Sequence, residues 1–471
     1  MENKPKWLWK TVDFNKYQFH VTISTIDSTT ESEDADERIV YMEDLEKENK
    51  FKDNFKNWTS GNKDIDEFIQ QSQLNAVHWN KYLEWIPFEK FQKITYIAEG
   101  GFGKIYSAKW PGGHIIYWDI ENQKWYKDYW SKYVLKSLNN SSNISSDFFN
   151  EIKSHLQIHL FDVVQCYGIT QNPNTKEYMM VLFYCDNGNL RNYLNKSENY
   201  IGYESKINKL RQIARGLLDI HIAEKVHKDF HSGNILNFGS NSYISDLGMC
   251  QPANKKSVKE EGIYGVLPYM SPEVLRGHQY TKAADIYSFG IIMNEFLSEE
   301  IPYGDISHDE FLAVKICKGQ RPKISEDVPR LLADLIVKCW DAEIENRPTA
   351  KELYKIFKKW NDEIVSSNLT SEDENEDNEN NESNEGSGKN SQYSEICNQI
   401  KKSIYTSRLL NFKNLPKPVN SSDFSSFQFN SDAKYAIQST LANPISECLD
   451  IQLSESELNE ICQDDENNIE S

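Results

Sequence analysis

The spacing of apolar positions changes twice along this chain. From Asp64 to Trp85, apolar residues recur at Ile65, Phe68, Ile69, Leu74, Val77 and Leu83. Gly61-Asn62 stands ahead of them and Pro87 behind, so the pattern predicts a helix over 64–85. Between 91 and 200 the chain breaks into short β-branched and aromatic runs at 93–96, 105–108, 133–138 and 178–183, which read as strands with one helix among them. Residues 205–360 turn helical. Ile207, Leu210, Ile213, Leu217 and Ile220 keep one face apolar, and 283–297 is apolar nearly all round, the mark of a helix buried inside a lobe. A small β-rich part followed by a larger helical part predicts an α+β, two-lobed fold. Beyond Trp360 the pattern collapses, and 371–390 is Ser, Asn, Glu, Asp and Gly almost throughout. Such a run buries too little apolar surface to repay its ordering.

Polar residues that interrupt the apolar runs carry the candidate chemistry. Ile97-Ala-Glu-Gly-Gly-Phe-Gly-Lys-Ile105 lies between two strand-like runs. Its glycines let backbone N–H groups approach a phosphate, although the same segment also makes an ordinary hairpin tip. Lys136 sits on the apolar run Tyr133-Val-Leu-Lys. Glu151 follows Phe148 by three residues and so shares the inner face of its helix. A carboxylate facing inward needs a cation, for which Lys136 is the candidate. The longest polar signal is Val226-His-Lys-Asp-Phe-His-Ser-Gly-Asn-Ile-Leu236, followed by Ile244-Ser-Asp-Leu-Gly248. Asp246 and the side-chain oxygen of Asn234 suit Mg²⁺, which takes few protein ligands and completes its shell with phosphate and water. Polar turn chemistry is the plainer account of each piece alone.

Taken in order, these motifs resemble a eukaryotic protein kinase of the tyrosine-kinase-like group, close to an expanded set of such kinases in fungi. The resemblance covers residues 91–360. It implies that Ile97, Ala98, Gly100, Gly101, Phe102, Gly103 and Ile105 cover the phosphates of ATP, and that Lys136 holds them with Glu151 as its helix partner. Asp229 is then the catalytic base in His227-Lys228-Asp229, and Asn234 and Asp246 are the Mg²⁺ ligands. Adenine would lie between Ile97, Ile105, Val134 and Leu236, with Leu182 as gatekeeper and Phe183 and Cys185 as the hinge. Glu273, in Ser271-Pro-Glu273, would close the activation segment and pair with Arg347. Asp285 would begin the buried central helix.

The implied activity is ATP-dependent transfer of a phosphoryl group to protein hydroxyls, Ser/Thr rather than Tyr. The rival reading is an ATP-binding pseudokinase or scaffold, encouraged only by Ala98 in place of the loop's first glycine and Lys228 in place of an arginine. A third, a small-molecule phosphotransferase, is disfavoured by Glu273, Asp285 and Arg347. His231 and Val266 stand where Ser/Thr kinases usually carry Lys and Thr. Ser257 and Tyr264 are candidate activating phosphorylation positions, with Lys228 as the phosphate's partner.

Charge and composition bound the remainder. The 471 residues carry 72 acidic and 52 basic side chains, net −20, which argues against nucleic acid as a partner. Residues 366–471 hold 20 carboxylates against 7 Lys or Arg, so the end of the chain is the polyanion. Eight dispersed cysteines suggest neither a disulfide framework nor a zinc scaffold, and no leader or membrane span is expected. A cytoplasmic protein follows. The expected organisation is a flexible arm over 1–60 and a helical extension over 61–90. A kinase domain over 91–360 carries a hairpin insertion at 110–132, because Gly103 and Lys136 are 33 residues apart. An acidic disordered linker over 366–395 and a low-structure tail over 396–471 complete it. In that tail, Ser407-Arg-Leu-Leu-Asn-Phe-Lys-Asn-Leu-Pro416 is a candidate docking segment for a partner.

Overall fold

A computed structural model describes residues 51–75, 82–100, 103–119, 124–138, 146–158, 162–196, 201–253, 263–372 and 405–420. The small lobe opens with residues 51–55, which are helical, and helix α1 (Lys63–Asn75). Asn62 caps α1, its side-chain oxygen accepting from the N–H groups of Asp64 (2.9 Å) and Ile65 (3.3 Å). The lobe's strands are β1 (Glu84–Trp85), β2 (Gln92–Gly100), β3 (Gly103–Lys109), β4 (His114–Asp119), β5 (Lys124–Asp128), β6 (Tyr133–Leu138), β7 (Cys166–Gln171) and β8 (Tyr178–Phe183). Helix α2 (Ser146–Gln157) lies between β6 and β7. Six strands form one sheet in the order β1-β7-β8-β6-β3-β2, antiparallel except for β1 against β7. Its core gathers Ile65, Ile69, Leu83, Tyr133, Leu135, Phe148, Ile152, Ile169 and Val181.

The predicted 64–85 helix is shorter. α1 ends at Asn75, and residues 84–85 are the strand β1 rather than a last helical turn. Polar groups at the end of α1 account for the change. Ser72 Oγ accepts from Leu83 N–H at 3.0 Å, and Gln73 Nε2 donates to Leu83 carbonyl at 2.7 Å, so this backbone is satisfied outside any helix. The 110–132 segment is the antiparallel pair β4–β5, with Tyr117 opposite Tyr126 and Trp118 opposite Trp125. Glu84 pins it to the sheet, accepting from Ile115 N–H and from Lys127 Nζ, each at 2.9 Å. The arm expected over 1–60 is packed at its end. Phe51 is buried and stacks on Trp125 at 4.7 Å, because the insertion's apolar face needs cover. Residues 1–50 lie outside the described residues.

The large lobe contains α3 (Leu190–Lys196), α4 (Tyr203–Ile222), the strands β9 (Lys225–Val226), β10 (Ile235–Phe238), β11 (Asn241–Ile244), β12 (Gln251–Pro252) and β13 (Ile263–Gly265), then α5 (Pro272–Leu275), α6 (Lys282–Ser298), α7 (Glu310–Cys317), α8 (Arg330–Cys339) and α9 (Ala350–Glu372). Helix α6 runs through the centre, buried on every side from Ala284 to Leu297 as its uniform apolarity predicts. Around it pack Leu210, Leu217, Phe230, Ile336, Trp340 and Phe357. Two differences stand at the C-terminal end. Helix α9 continues to Glu372, into the span expected as linker. Residues 405–420, expected as low-structure tail, lie against the large lobe, and β14 (Arg408–Leu410) pairs antiparallel with β13. Apolar residues too sparse to show a period, Tyr405, Leu410, Phe412 and Leu415, supply that packing. Among the described residues no helix is long and apolar enough to cross a membrane.

Candidate active site

Three elements bring three charges together at the back of the cleft. Lys136 lies in mid-sheet on β6, opposite Ile105 of β3 and Met180 of β8. Its Nζ donates to Glu151 Oε1 of α2 at 2.7 Å and to Asp246 Oδ1 at 2.8 Å. Burial alone would lower the lysine's pKa, but Asp246 and Glu151 outweigh it and hold the ammonium charged. Burial works to raise the carboxyl pKa of Asp246 too, yet Lys136 brings it below the ordinary carboxylate value. Glu151 moves the other way, raised by burial and by the Asp246 charge against the pull of Lys136. Gly248 permits this close approach, since a Cβ there would sit 3.1 Å from Glu151 Oε2.

The loop over 227–234 is suspended from the central helix. Asp285, in the first turn of α6, accepts from the N–H of His227 (2.8 Å) and of Lys228 (3.1 Å), and lies 3.0 Å from His221 Nε2. Lys228 is held at φ 70°, a left-handed conformation that a non-glycine residue keeps only where its surroundings enforce it. Its neighbour Asp229 is thereby turned toward the cleft floor, and Asn234 Nδ2 donates to the Asp229 carbonyl at 2.9 Å. Gly233 N–H donates to His231 Nδ1 at 3.1 Å, which leaves the ring proton on Nε2, the nitrogen 3.7 Å from Asp229 Oδ2. Burial works to raise the Asp229 pKa, but His231, Ser407 and His227 outweigh it, so the carboxyl is held below its ordinary value. Ser407 belongs to the segment beside β13, and its Oγ donates to Asp229 Oδ2 at 2.5 Å.

The donor set fits a magnesium ion. Asn234 spends its amide nitrogen on Asp229, which leaves its side-chain oxygen as the ligand atom. Ser245, the residue before Asp246, donates from both N–H and Oγ to the Asn234 carbonyl, at 2.9 and 3.0 Å, and so holds Asn234 and Asp246 side by side. Asp229 Oδ1 is buried with no hydrogen-bond partner among the described residues, an acceptor awaiting a donor.

The sheet side of the cleft is more open. Ile97 is 47% exposed at the cleft rim, while Ile105, Val134 and Leu236 are half-buried. Leu182 is buried opposite Val134. Phe183 and Cys185 are buried too, with the Phe183 ring turned into an aromatic cluster with Trp130, Phe238 and Tyr243. Ala98 pairs with Ile105 and Gly100 with Gly103, closing the β2–β3 hairpin. Gly101 and Phe102, at its tip, lie outside the described residues, as does Ser257. Tyr264 is on β13, and its hydroxyl donates to the Ser407 carbonyl at 3.2 Å. Lys228 Nζ donates to Gln251 Oε1 at 3.3 Å and lies over the Tyr280 ring.

Two further networks brace the floor. Arg347 grips Glu273 through both ends of its guanidinium, at 2.7 and 2.8 Å, and also bonds the carbonyls of Ala283 and Asp341. Arg191, Glu295, Tyr269 and Ser232 form the second, linking α3 and α6 to the loop that carries Asp229. Sequence reasoning missed this network and the placement of Ser407. An Arg–Glu pair 104 residues apart in sequence leaves no local pattern to read.

Sheet lobe, helical lobe and the cleft between them make a protein-kinase fold. Residues 91–357 match the protein tyrosine and serine/threonine kinase family, and the chain belongs to it. It is 29% identical over 289 residues to serine/threonine-protein kinase VIK of Arabidopsis thaliana, covering 59% of this chain and 62% of that one. It is 27% identical over 231 residues to serine/threonine/tyrosine-protein kinase HT1 of the same plant, covering 48% and 58%. Against probable serine/threonine-protein kinase pats1 of Dictyostelium discoideum the identity is 25% over 277 residues, 57% of this chain and 8% of that one. The chain thus spans less than two thirds of the length of each.

Proposed function

We propose that the chain is an active protein kinase, transferring the γ-phosphoryl group of ATP to serine or threonine hydroxyls of proteins. The observation that carries this reading is Asp229, a buried carboxylate kept ionised, one of whose oxygens already accepts from a serine hydroxyl at 2.5 Å. Asp229 orients the attacking hydroxyl and takes its proton. Lys136, positioned by Glu151, neutralises phosphate oxygens as negative charge spreads over them. Asn234 and Asp246 would hold Mg²⁺, which supplies further charge neutralisation when bound. Ile97, Ile105, Val134 and Leu236 offer apolar walls to adenine; Gly100 and Gly103, with Gly101 and Phe102 between them, offer the cover for the phosphates.

The Ser407 side chain reaches Asp229 from the residue just before β14, and the longer tyrosine side chain would need its backbone set farther from that carboxylate. That favours Ser/Thr as the acceptor. The motif set supports a place in the tyrosine-kinase-like group, near the expanded fungal set. Five cysteines of the described residues are unpaired, which supports a reducing, cytoplasmic setting. The pseudokinase reading asks for a missing catalytic group, and Lys136, Glu151, Asp229, Asn234 and Asp246 are all present in the sequence. The test is steady-state ADP release with a generic protein substrate, beside nucleotide binding followed by a fluorescent ATP analogue. Wild type should bind and turn over, and Asp229→Asn should bind without turning over. A wild type that binds the analogue without releasing ADP would return the protein to the scaffold reading.

A further inference from the structure

The segment 405–420 is fixed on the large lobe at points on both sides of Ser407. Before it, the Tyr405 ring lies 4.2 Å from the Arg191 guanidinium carbon and 4.7 Å from the His308 ring, and its hydroxyl donates to the Pro302 carbonyl at 3.1 Å. After it, Arg408–Leu410 pairs with Ile263–Gly265, Gly265 opposite Arg408 and Ile263 opposite Leu410. Arg408 donates to the His308 carbonyl, and Leu410 is buried in the large-lobe core. Farther on, Val419 N–H donates to the Cys317 carbonyl at 3.1 Å, and the Asn420 amide bridges Ala342 N–H and Asp341, each at 2.8 Å. Main-chain pairing with side-chain anchors on alternate positions is how an extended peptide is held at a sheet edge. What this peptide presents to the catalytic base is a hydroxyl.

We propose that residues 405–420 are an intramolecular substrate segment and that Ser407 is phosphorylated by its own chain. The inference rests on the kinase reading above. Ser407 Oγ attacks the γ-phosphorus of ATP; the new O–P bond forms as the bond from the γ-phosphorus to the β–γ bridging oxygen breaks. ADP leaves with that oxygen, and the Ser407 proton passes to Asp229 Oδ2, the atom it already faces. The product carries about −1.5 to −2 charge beside the Asp229 carboxylate, and this repulsion releases the segment and opens the groove to other proteins. Tyr405, Arg408 and Leu410 then describe what such proteins carry around their acceptor: an aromatic residue two positions before, a cation one after and an aliphatic residue three after.

The experiment uses the full chain, treated with phosphatase and then given ATP and Mg²⁺ in the presence of casein. Phosphate on Ser407 is followed by mass spectrometry and casein labelling in parallel. Ser407 should become modified at a per-chain rate that does not change over a hundredfold dilution, and an Asp229→Asn chain mixed in should stay unmodified. Tyr405→Ala should lower the ratio of Ser407 to casein labelling about tenfold, by removing the aromatic anchor. Casein labelling without phosphate on Ser407 overturns the proposal and leaves the kinase reading standing. A Ser407 rate that scales with enzyme concentration overturns the intramolecular step. Labelling of neither removes the kinase reading and this proposal together.

Discussion

The floor of the cleft and its roof are built on different terms. Below, Asp229 hangs from a loop whose backbone is bonded to a buried aspartate on a helix that is itself core on every side. Above, the β2–β3 hairpin carries side chains that are exposed along most of β2, and the grip on phosphate proposed for it is through backbone N–H groups. The floor's geometry is therefore fixed by buried contacts, whereas the roof is a hairpin whose outer strand is exposed. Substitutions below should strike turnover or stability, and substitutions above should be confined to nucleotide affinity.

The sharpest way to break this contrast is at the base. Asp229→Asn should leave nucleotide binding within a few-fold and cut kcat by about 10²–10⁴, the usual worth of general-base assistance. Stopped or steady-state ADP release measures it. Lys136→Met sits at the boundary between the regions and should cost about 10²–10³ in kcat, as loss of one preorganised charge does. Equal losses in ATP affinity and turnover for both variants would erase the distinction.

Arg347→Met tests whether the floor is bought by buried charge. The Glu273 carboxyl is pushed up by burial but pulled below its ordinary value by Arg347. Removing the arginine strands that carboxylate, at a cost of about 3–5 kcal/mol, read as a fall in Tm. Because the folded-state pKa is depressed, the pair's stabilisation is fully present above the ordinary carboxylate range. It is lost as pH falls through the lowered value, so the Tm gap between variant and wild type should narrow in acid. A gap that is constant with pH would assign the loss to packing.

How much of this was legible in the sequence follows the same division. Lys136 and Glu151 stood out as polar exceptions in apolar runs, and Asp229, Asn234 and Asp246 as polar turns between apolar flanks, but their proposed roles came only from the motifs' resemblance, in order, to a kinase. The buried central helix was readable from its uniform apolarity. The end of α1 was not, since Ser72 and Gln73 satisfy Leu83 through tertiary hydrogen bonds that carry no periodicity. Nor was the docked segment, where one pairing of three residues and a few anchors decide the structure while composition still reads as tail.

Smaller effects sharpen the picture. His231→Gln removes a group that helps hold Asp229 below its ordinary pKa, so the acid limb of the kcat/KM profile should move to higher pH with little change at the plateau. An unmoved limb would show that His231 only packs. The smallest effect belongs to the roof. Ala98→Gly should change ATP KM by no more than the roughly 1 kcal/mol that separates glycine from alanine, about fivefold, with kcat unchanged.

The central claim is that Asp229 takes the proton of a serine or threonine hydroxyl while the γ-phosphoryl group is transferred. The most direct measurement is incubation of the full chain with ATP labelled at the γ-phosphate and Mg²⁺, followed by acid hydrolysis and separation of the phosphoamino acids. The account predicts label in phosphoserine or phosphothreonine from wild type and no more than about a hundredth as much from Asp229→Asn. Label in phosphotyrosine alone, or equal label from both proteins, would contradict it.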